Sequence, residues 1–153
     1  MNTVVQARPG PHRCRVAPSA LALLESARCG LAGAVQESGA GARYVAAHLA
    51  ALRAAAAVVA ARSAPGTVPR RRGAPRSVWE LLPRVEPALA EWAAFFAAGA
   101  GKRAAAEAGL QRAVTGREAD DLLRDAETFV SLAEQALGAG HPGQAPLPLR
   151  TAG

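Results

Sequence analysis

A chain of 153 residues fits one domain with a single core. Half of it is apolar, but alanine supplies 40 of the residues, so that core must be shallow and helical. Two cysteines, Cys14 and Cys29, and three histidines fall into no paired ligand spacing, which argues against a disulfide framework and against any bound metal or cofactor. The formal charge of +6 is held unevenly: residues 1–18 carry Arg8, Arg13 and Arg15 with no acid, residues 62–76 carry Arg62, Arg70, Arg71, Arg72 and Arg76 with no acid, and everything else is net negative by two.

In chain order, residues 1–17 hold Pro9, Gly10 and Pro11 among the arginines and show no periodicity. They read as a flexible basic tail. The folded domain is expected over residues 18–138. Pro18-Ser19 opens its first helix, with Ser19 as the N-cap. Leu21, Leu24, Ala27, Leu31, Ala34 and Val35 give that helix one apolar face, and Ser38 to Gly41 end it. The second helix is expected from about Ala42 to Ser63. Its stripe of Val45, Leu49, Leu52, Ala56 and Val59 alternates steps of four and three without a miss, a spacing suited to a near-antiparallel neighbour.

Residues 63–76, SAPGTVPRRRGAPR, hold three prolines, two glycines and four arginines and form a basic loop longer than most helix connections. Ser77-Val78-Trp79-Glu80 is a capping box, and the short helix behind it should stop before Pro83. Pro87 suits the first position of the next helix, which carries Leu89, Trp92, Phe95 and Phe96. Gly99 and Gly101 weaken this helix, so the AAAEAG stretch continues it past a bend. Thr115 to Glu118 is a second capping box, followed by the clearest amphipathic pattern of the chain: Ala119, Leu122, Ala126, Phe129, Ala133 and Ala136. Gly138 is a natural helix stop. Residues 139–153 hold three prolines and read as a disordered tail.

No alternating run is long enough for a strand, and Gly99-Ala100-Gly101-Lys102 lacks the spacing of a phosphate-binding loop. The longest charge-free apolar run, Ala54 to Ala61, is far shorter than the roughly 20 residues of a membrane span. With no secretory signal and no disulfide pattern, the expectation is a cytoplasmic protein with no membrane partner. The expected fold is all-α, an up-and-down bundle of four longer helices plus one short helix. Leu31, Leu49, Leu52, Phe96, Leu122 and Phe129 are expected among its most buried residues.

Three stretches carry a family resemblance. RSVWELL at Arg76–Leu82, EWAAFFAAGA at Glu91–Ala100 and READDLLRDAETF at Arg117–Phe129 resemble a small actinobacterial branch of the HEPN superfamily, the higher eukaryotes and prokaryotes nucleotide-binding domains. The resemblance spans roughly residues 19–137. It implies a helical bundle that forms a homodimer and, in many members, works on RNA. It also implies a place to look for chemistry. Active members carry Arg, four to six residues, then His, in a cleft between subunits, and only Arg43 and His48 match that spacing here. In such enzymes the arginine stabilises phosphate charge and the histidine moves a proton without a metal.

Helix geometry resists that assignment, because five steps of about 100° put Arg43 and His48 about 140° apart. His48 lies at the edge of the apolar stripe, and Arg43 points nearly opposite it. Trp79, next to the basic loop, would either stack a base or anchor the core. Glu118, Asp120, Asp121 and Asp125 would either gather a metal or, as acids in the first turns of a helix, complement its dipole. Phe95 and Phe96 belong to a core or a dimer interface. The reading adopted is a non-catalytic module that binds nucleic acid or a protein partner, with Arg70, Arg71, Arg72 and Arg76 as the phosphate contacts. The alternatives are a metal-independent endoribonuclease using Arg43 and His48, and a protein-interaction module with no nucleic-acid binding.

Overall fold

The structure, a computed structural model, describes residues 16–63 and 77–138. Most of the two expected tails and of the basic loop therefore lies outside the described residues. Within them the chain forms α1 (Pro18–Gln36), α2 (Ala40–Arg62), α3 (Val78–Val85), a 3₁₀ turn at Pro87–Leu89, α4 (Ala90–Ala98), α5 (Ala100–Glu107) and α6 (Gly116–Ala136), with no strand.

Side-chain pairs fix the directions. Arg43 meets Asp120 near the start of α2 and α6, and Arg62 donates to the Ala136 carbonyl near their ends, so these two helices run parallel. Only three residues link Gln36 to Ala40 and Gly30 lies against Ala50, which sets α1 antiparallel to α2 and so to α6, where Arg28 pairs with Glu134. His48 touches Phe96 while Gly41 lies against Ala106, so α4 and α5 together run back along α2. Up, down, up, down is therefore the order of α1, α2, α4–α5 and α6. The short α3 is the extra element. It runs parallel to α2, since Trp79 meets His48 at one end and Glu86 meets Arg62 at the other.

Local chemistry explains most boundaries and corrects three of them. Pro18 is itself the first helical residue and Ala17 is the N-cap, so Ser19 does not cap α1. Ser77 caps α3 through the Trp79 amide at 3.1 Å rather than through Glu80, so no reciprocal box closes there. The helix also runs past Pro83 to Val85. An interior proline costs about 3 kcal/mol. Burial of Trp79 and Leu82 on one face of the helix offsets that cost, and the Glu86 amide closes the last turn on the Leu82 carbonyl at 2.9 Å. At α6 the box is complete: Thr115 Oγ1 accepts from the Glu118 amide, and the Glu118 carboxylate accepts from the Thr115 amide. Gly138 follows α6 with φ +66°, the left-handed stop that glycine adopts without strain.

The break between α4 and α5 falls at Gly99. A Cβ there would sit 2.9 Å from the Tyr44 hydroxyl and 3.4 Å from the Phe96 carbonyl, so the close approach of α2 and not backbone freedom requires glycine. Gly30 does the same for α1 and α2: its Cβ would lie 3.3 Å from that of Ala50.

Alanine sets which face of α2 is inside. Ala47, Ala50, Ala51, Ala54, Ala55 and Ala57 are fully buried together with His48 and Val58. Small side chains let the axes approach, and α1 and α6 close on that alanine face. Phe96, Leu122 and Phe129 are buried as expected, but Leu31, Leu49 and Leu52 are only half-buried, displaced to the rims of contacts that alanine fills. Each buried alanine methyl contributes about 0.8 kcal/mol against roughly 1.5–3 for a buried Leu or Phe, so the aromatic residues matter out of proportion to their number. Trp79, Trp92, Phe96 and Phe129 form one cluster, with Trp79 stacked on Phe96 at a centroid distance of 5.3 Å.

Candidate functional site

His48 projects from α2 into the aromatic cluster. The Tyr44 ring lies roughly parallel to it at 6.5 Å, and Trp79 and Phe96 meet it edge-on at 5.9 and 5.8 Å. No part of the residue reaches solvent. Its Nε2 lies 2.9 Å from the Phe96 carbonyl oxygen, and a carbonyl only accepts, so Nε2 carries the proton and donates. That leaves Nδ1 as a bare acceptor, buried and without a partner. Burial pushes the His48 pKa below its ordinary value. The bond to Phe96 opposes this in part, nearby Arg103 adds to it, and Glu107 counters. The imidazole is therefore neutral at neutral pH.

Arg43 goes elsewhere. Its Nε sits 3.2 Å from Asp120 Oδ1 on α6, and an Nη reaches the Glu37 carbonyl at 3.4 Å. The pair holds by charge more than by hydrogen bonding, because the Nε–H is not aligned on its acceptor. Arg43 thus ties α2 to α6 and the α1 terminus, while His48 faces α3 and α4. The structure does not bring the two together into one cleft.

The other candidates are accounted for one by one. Trp79 is buried against His48, Phe96 and Phe129, so its faces are not open to a base. Phe96 is core, whereas Phe95 is 45% exposed on the outer side of α4. Glu118 accepts from Lys102 and closes the Thr115 box, and these bonds, Lys102 first, hold its carboxyl down to about 2. Asp120 is committed to Arg43, and Asp121 to Arg117 and Arg124. Burial, helped by the charge of Asp121, raises the Asp125 carboxyl. Among the described residues no three His, Cys, Asp or Glu side chains converge as a metal set. Arg70, Arg71, Arg72 and Arg76, and with them the basic loop, lie outside the described residues.

Sequence reasoning missed the polar belt that ties the start of α6 to α2 and α5, through Arg43–Asp120 and Lys102–Glu118. The visible signal was the Thr115–Glu118 box, since a glutamate that close to a helix start is well placed for a cation from a neighbour. Tyr44 and His48, one turn apart on α2, were the signal for an aromatic contact along the helix.

Residues 34–134, from the end of α1 almost to the end of α6, match the profile of the SAV_6107-like HEPN family. The chain belongs to that family. Neither a curated protein nor a solved structure matches it. In this HEPN domain the matched span contains the whole aromatic cluster and the polar belt, while most of α1 precedes it. α2 is long and apolar enough to cross a membrane by length and composition, yet α1, α3, α5 and α6 all pack on it.

Proposed function

We propose that this HEPN domain is a non-catalytic interaction module that binds nucleic acid or a protein partner. One observation supports the non-catalytic half: His48 is wholly enclosed by its own subunit. A general base must come within about 2.6–3.2 Å of the proton it takes, and a histidine walled in by Tyr44, Trp79 and Phe96 meets no substrate from solvent. The engagement of Arg43 with Asp120 points the same way. The nucleic-acid half rests on Arg70, Arg71, Arg72 and Arg76, whose positive charge has no acid among residues 62–76 to offset it. The module is proposed to act in the cytoplasm and, following the family resemblance, as a homodimer.

The test is RNA cleavage by the purified full chain with EDTA present, alongside Arg43→Ala and His48→Phe. No cleavage above that of buffer is expected from any of the three. Metal-independent cleavage by the native chain that disappears in both variants, with unchanged melting temperatures, would install the ribonuclease reading instead. For the arginines, charge reversal at Arg70, Arg71 and Arg72 should remove RNA binding and leave the helical signal intact. The native affinity should fall steeply with salt. Binding independent of salt, or none to any RNA or DNA, leaves the partner as a protein.

A further inference from the structure

The most regular apolar stripe in the chain lies along the rim of the bundle's core and not within it. Val45, Leu49, Leu52, Ala56 and Val59 are each only half-buried. Leu52 and Val59 lean on the core from its edge, and the other three do not pack against it. The steps of four and three make this stripe the a and d positions of a heptad. Such a repeat seats a second helix, knob into hole, at a shallow crossing angle.

The charge beside the stripe says what kind of helix. Arg53 follows Leu52 and occupies the flanking e position, where coiled helices place their interhelical ion pairs. Its guanidinium lies over Gly30 of α1, where a Cβ would be 3.2 Å from Nη1. Arg43 and Arg62, the other cations of α2, are paired with Asp120 and Glu86. Among the described residues Arg53 has no carboxylate within ion-pair distance. α2 contains no Asp or Glu, so the α2 of a second copy laid against it would offer Arg53 no carboxylate.

We propose that the outer stripe of α2 docks an amphipathic helix of a partner protein, with large aliphatic residues at heptad spacing and an Asp or Glu flanking them opposite Arg53. The inference rests on the interaction-module reading and gives that module's protein partner a chemistry. The mode is a helix laid along an apolar face, with the acid fixing register.

Two synthetic three-heptad peptides test it, both with Leu at a and d, one with Glu and one with Lys at e and g. Fluorescence anisotropy measures their binding to the full chain. The Glu peptide should bind at least about fivefold tighter than the Lys peptide, and Arg53→Glu should reverse that order. Leu49→Asn should weaken both by more than about tenfold while circular dichroism and melting temperature stay native. Equal binding of the two peptides, or binding of neither, overturns the proposal. A native dimer that Leu49→Asn dissociates assigns the stripe to a second copy, and RNA binding abolished by Leu49→Asn assigns it to nucleic acid; either result also overturns it. Metal-independent RNA cleavage would defeat the non-catalytic reading alone and leave the peptide ranking to stand or fall by itself.

Discussion

Replacing His48 by phenylalanine separates what its ring does by shape from what it does by protonation. Shape comes first. His48→Ala empties a fully enclosed site between Tyr44, Trp79 and Phe96, and should lower stability by about 3 kcal/mol, near the range for deleting large buried side chains. His48→Phe refills that site. It loses the Nε2 hydrogen bond, with a net value of about 1 kcal/mol, but the Phe96 carbonyl keeps the Gly99 amide at 3.1 Å and is not left bare. It also removes the unpartnered Nδ1, relieving a desolvation penalty of about 1–3 kcal/mol, against which a slightly larger ring must be fitted. The two sides nearly balance, so at pH 8 His48→Phe should lie within about 1 kcal/mol of the native protein.

Protonation supplies the second half. The folded pKa of His48 is below its ordinary 6.5, so the unfolded chain takes up a proton that the folded one refuses. Stability from this source is complete above pH 6.5 and is lost as pH falls through that value toward the folded pKa. The limiting slope is about 1.4 kcal/mol per pH unit for one proton. Urea denaturation at pH 8, 7, 6 and 5.5, followed by circular dichroism, reads both effects. The native protein should weaken toward pH 5.5 and His48→Phe should not, making the variant the more stable protein in acid. Damage from His48→Phe at pH 8 equal to that from His48→Ala would refute the role given to ring shape. One shared pH profile for both proteins between 8 and 5.5 would refute the role given to protonation.

Gly99→Ala should lower stability by about 1–3 kcal/mol, because its Cβ meets the Tyr44 hydroxyl at 2.9 Å. Gly33→Ala, with nothing within 4 Å of the new atom in the last turn of α1, should raise it by about 0.5–1 kcal/mol; thermal melts of the two should shift in opposite directions. Thr115→Ala removes the acceptor for the Glu118 amide and should cost about 0.5–2 kcal/mol in urea denaturation. Arg43→Ala breaks a pair whose aspartate is half exposed and should cost less than about 1 kcal/mol, so a melting temperature many degrees lower would contradict the geometry of that pair.

The helices were legible because their signals are local. Thr115 and Glu118, Gly138, and the weakening pair Gly99 and Gly101 act within a few residues of themselves, and each marks a real boundary. The faces were less legible. In α2 every position but Arg43, Tyr44, His48 and Arg53 is aliphatic or glycine until Arg62, so periodicity ranked its faces by side-chain size. The fold ranked them by how close another helix could come, which favours alanine. Pro83 shows the complementary limit: a local breaker is overruled when Trp79 and Leu82 on the same short helix are both buried. For the candidate site, helix geometry alone separated Arg43 from His48. Their destinations, Asp120 and the Phe96 carbonyl, are contacts across the bundle that no local pattern announces.

A core lined by alanine turns the usual arithmetic of mutation around. In most interiors the damaging change is a loss of atoms; at Ala47, Ala50, Ala51 and Ala54 there are almost none to lose. Alanine codons reach valine, threonine, serine, proline, glycine, aspartate and glutamate by single-base changes. Six of those seven enlarge the side chain where helices already touch, several add a polar group or a charge, and the seventh removes the methyl that favours the helix. Sequence drift along the inner face of α2 should therefore be confined to synonymous changes, while the leucines at its rim exchange freely among Leu, Met and Ile. Leu49 would be the informative exception: if the outer stripe of α2 holds a partner, it should drift as slowly as the alanines behind it.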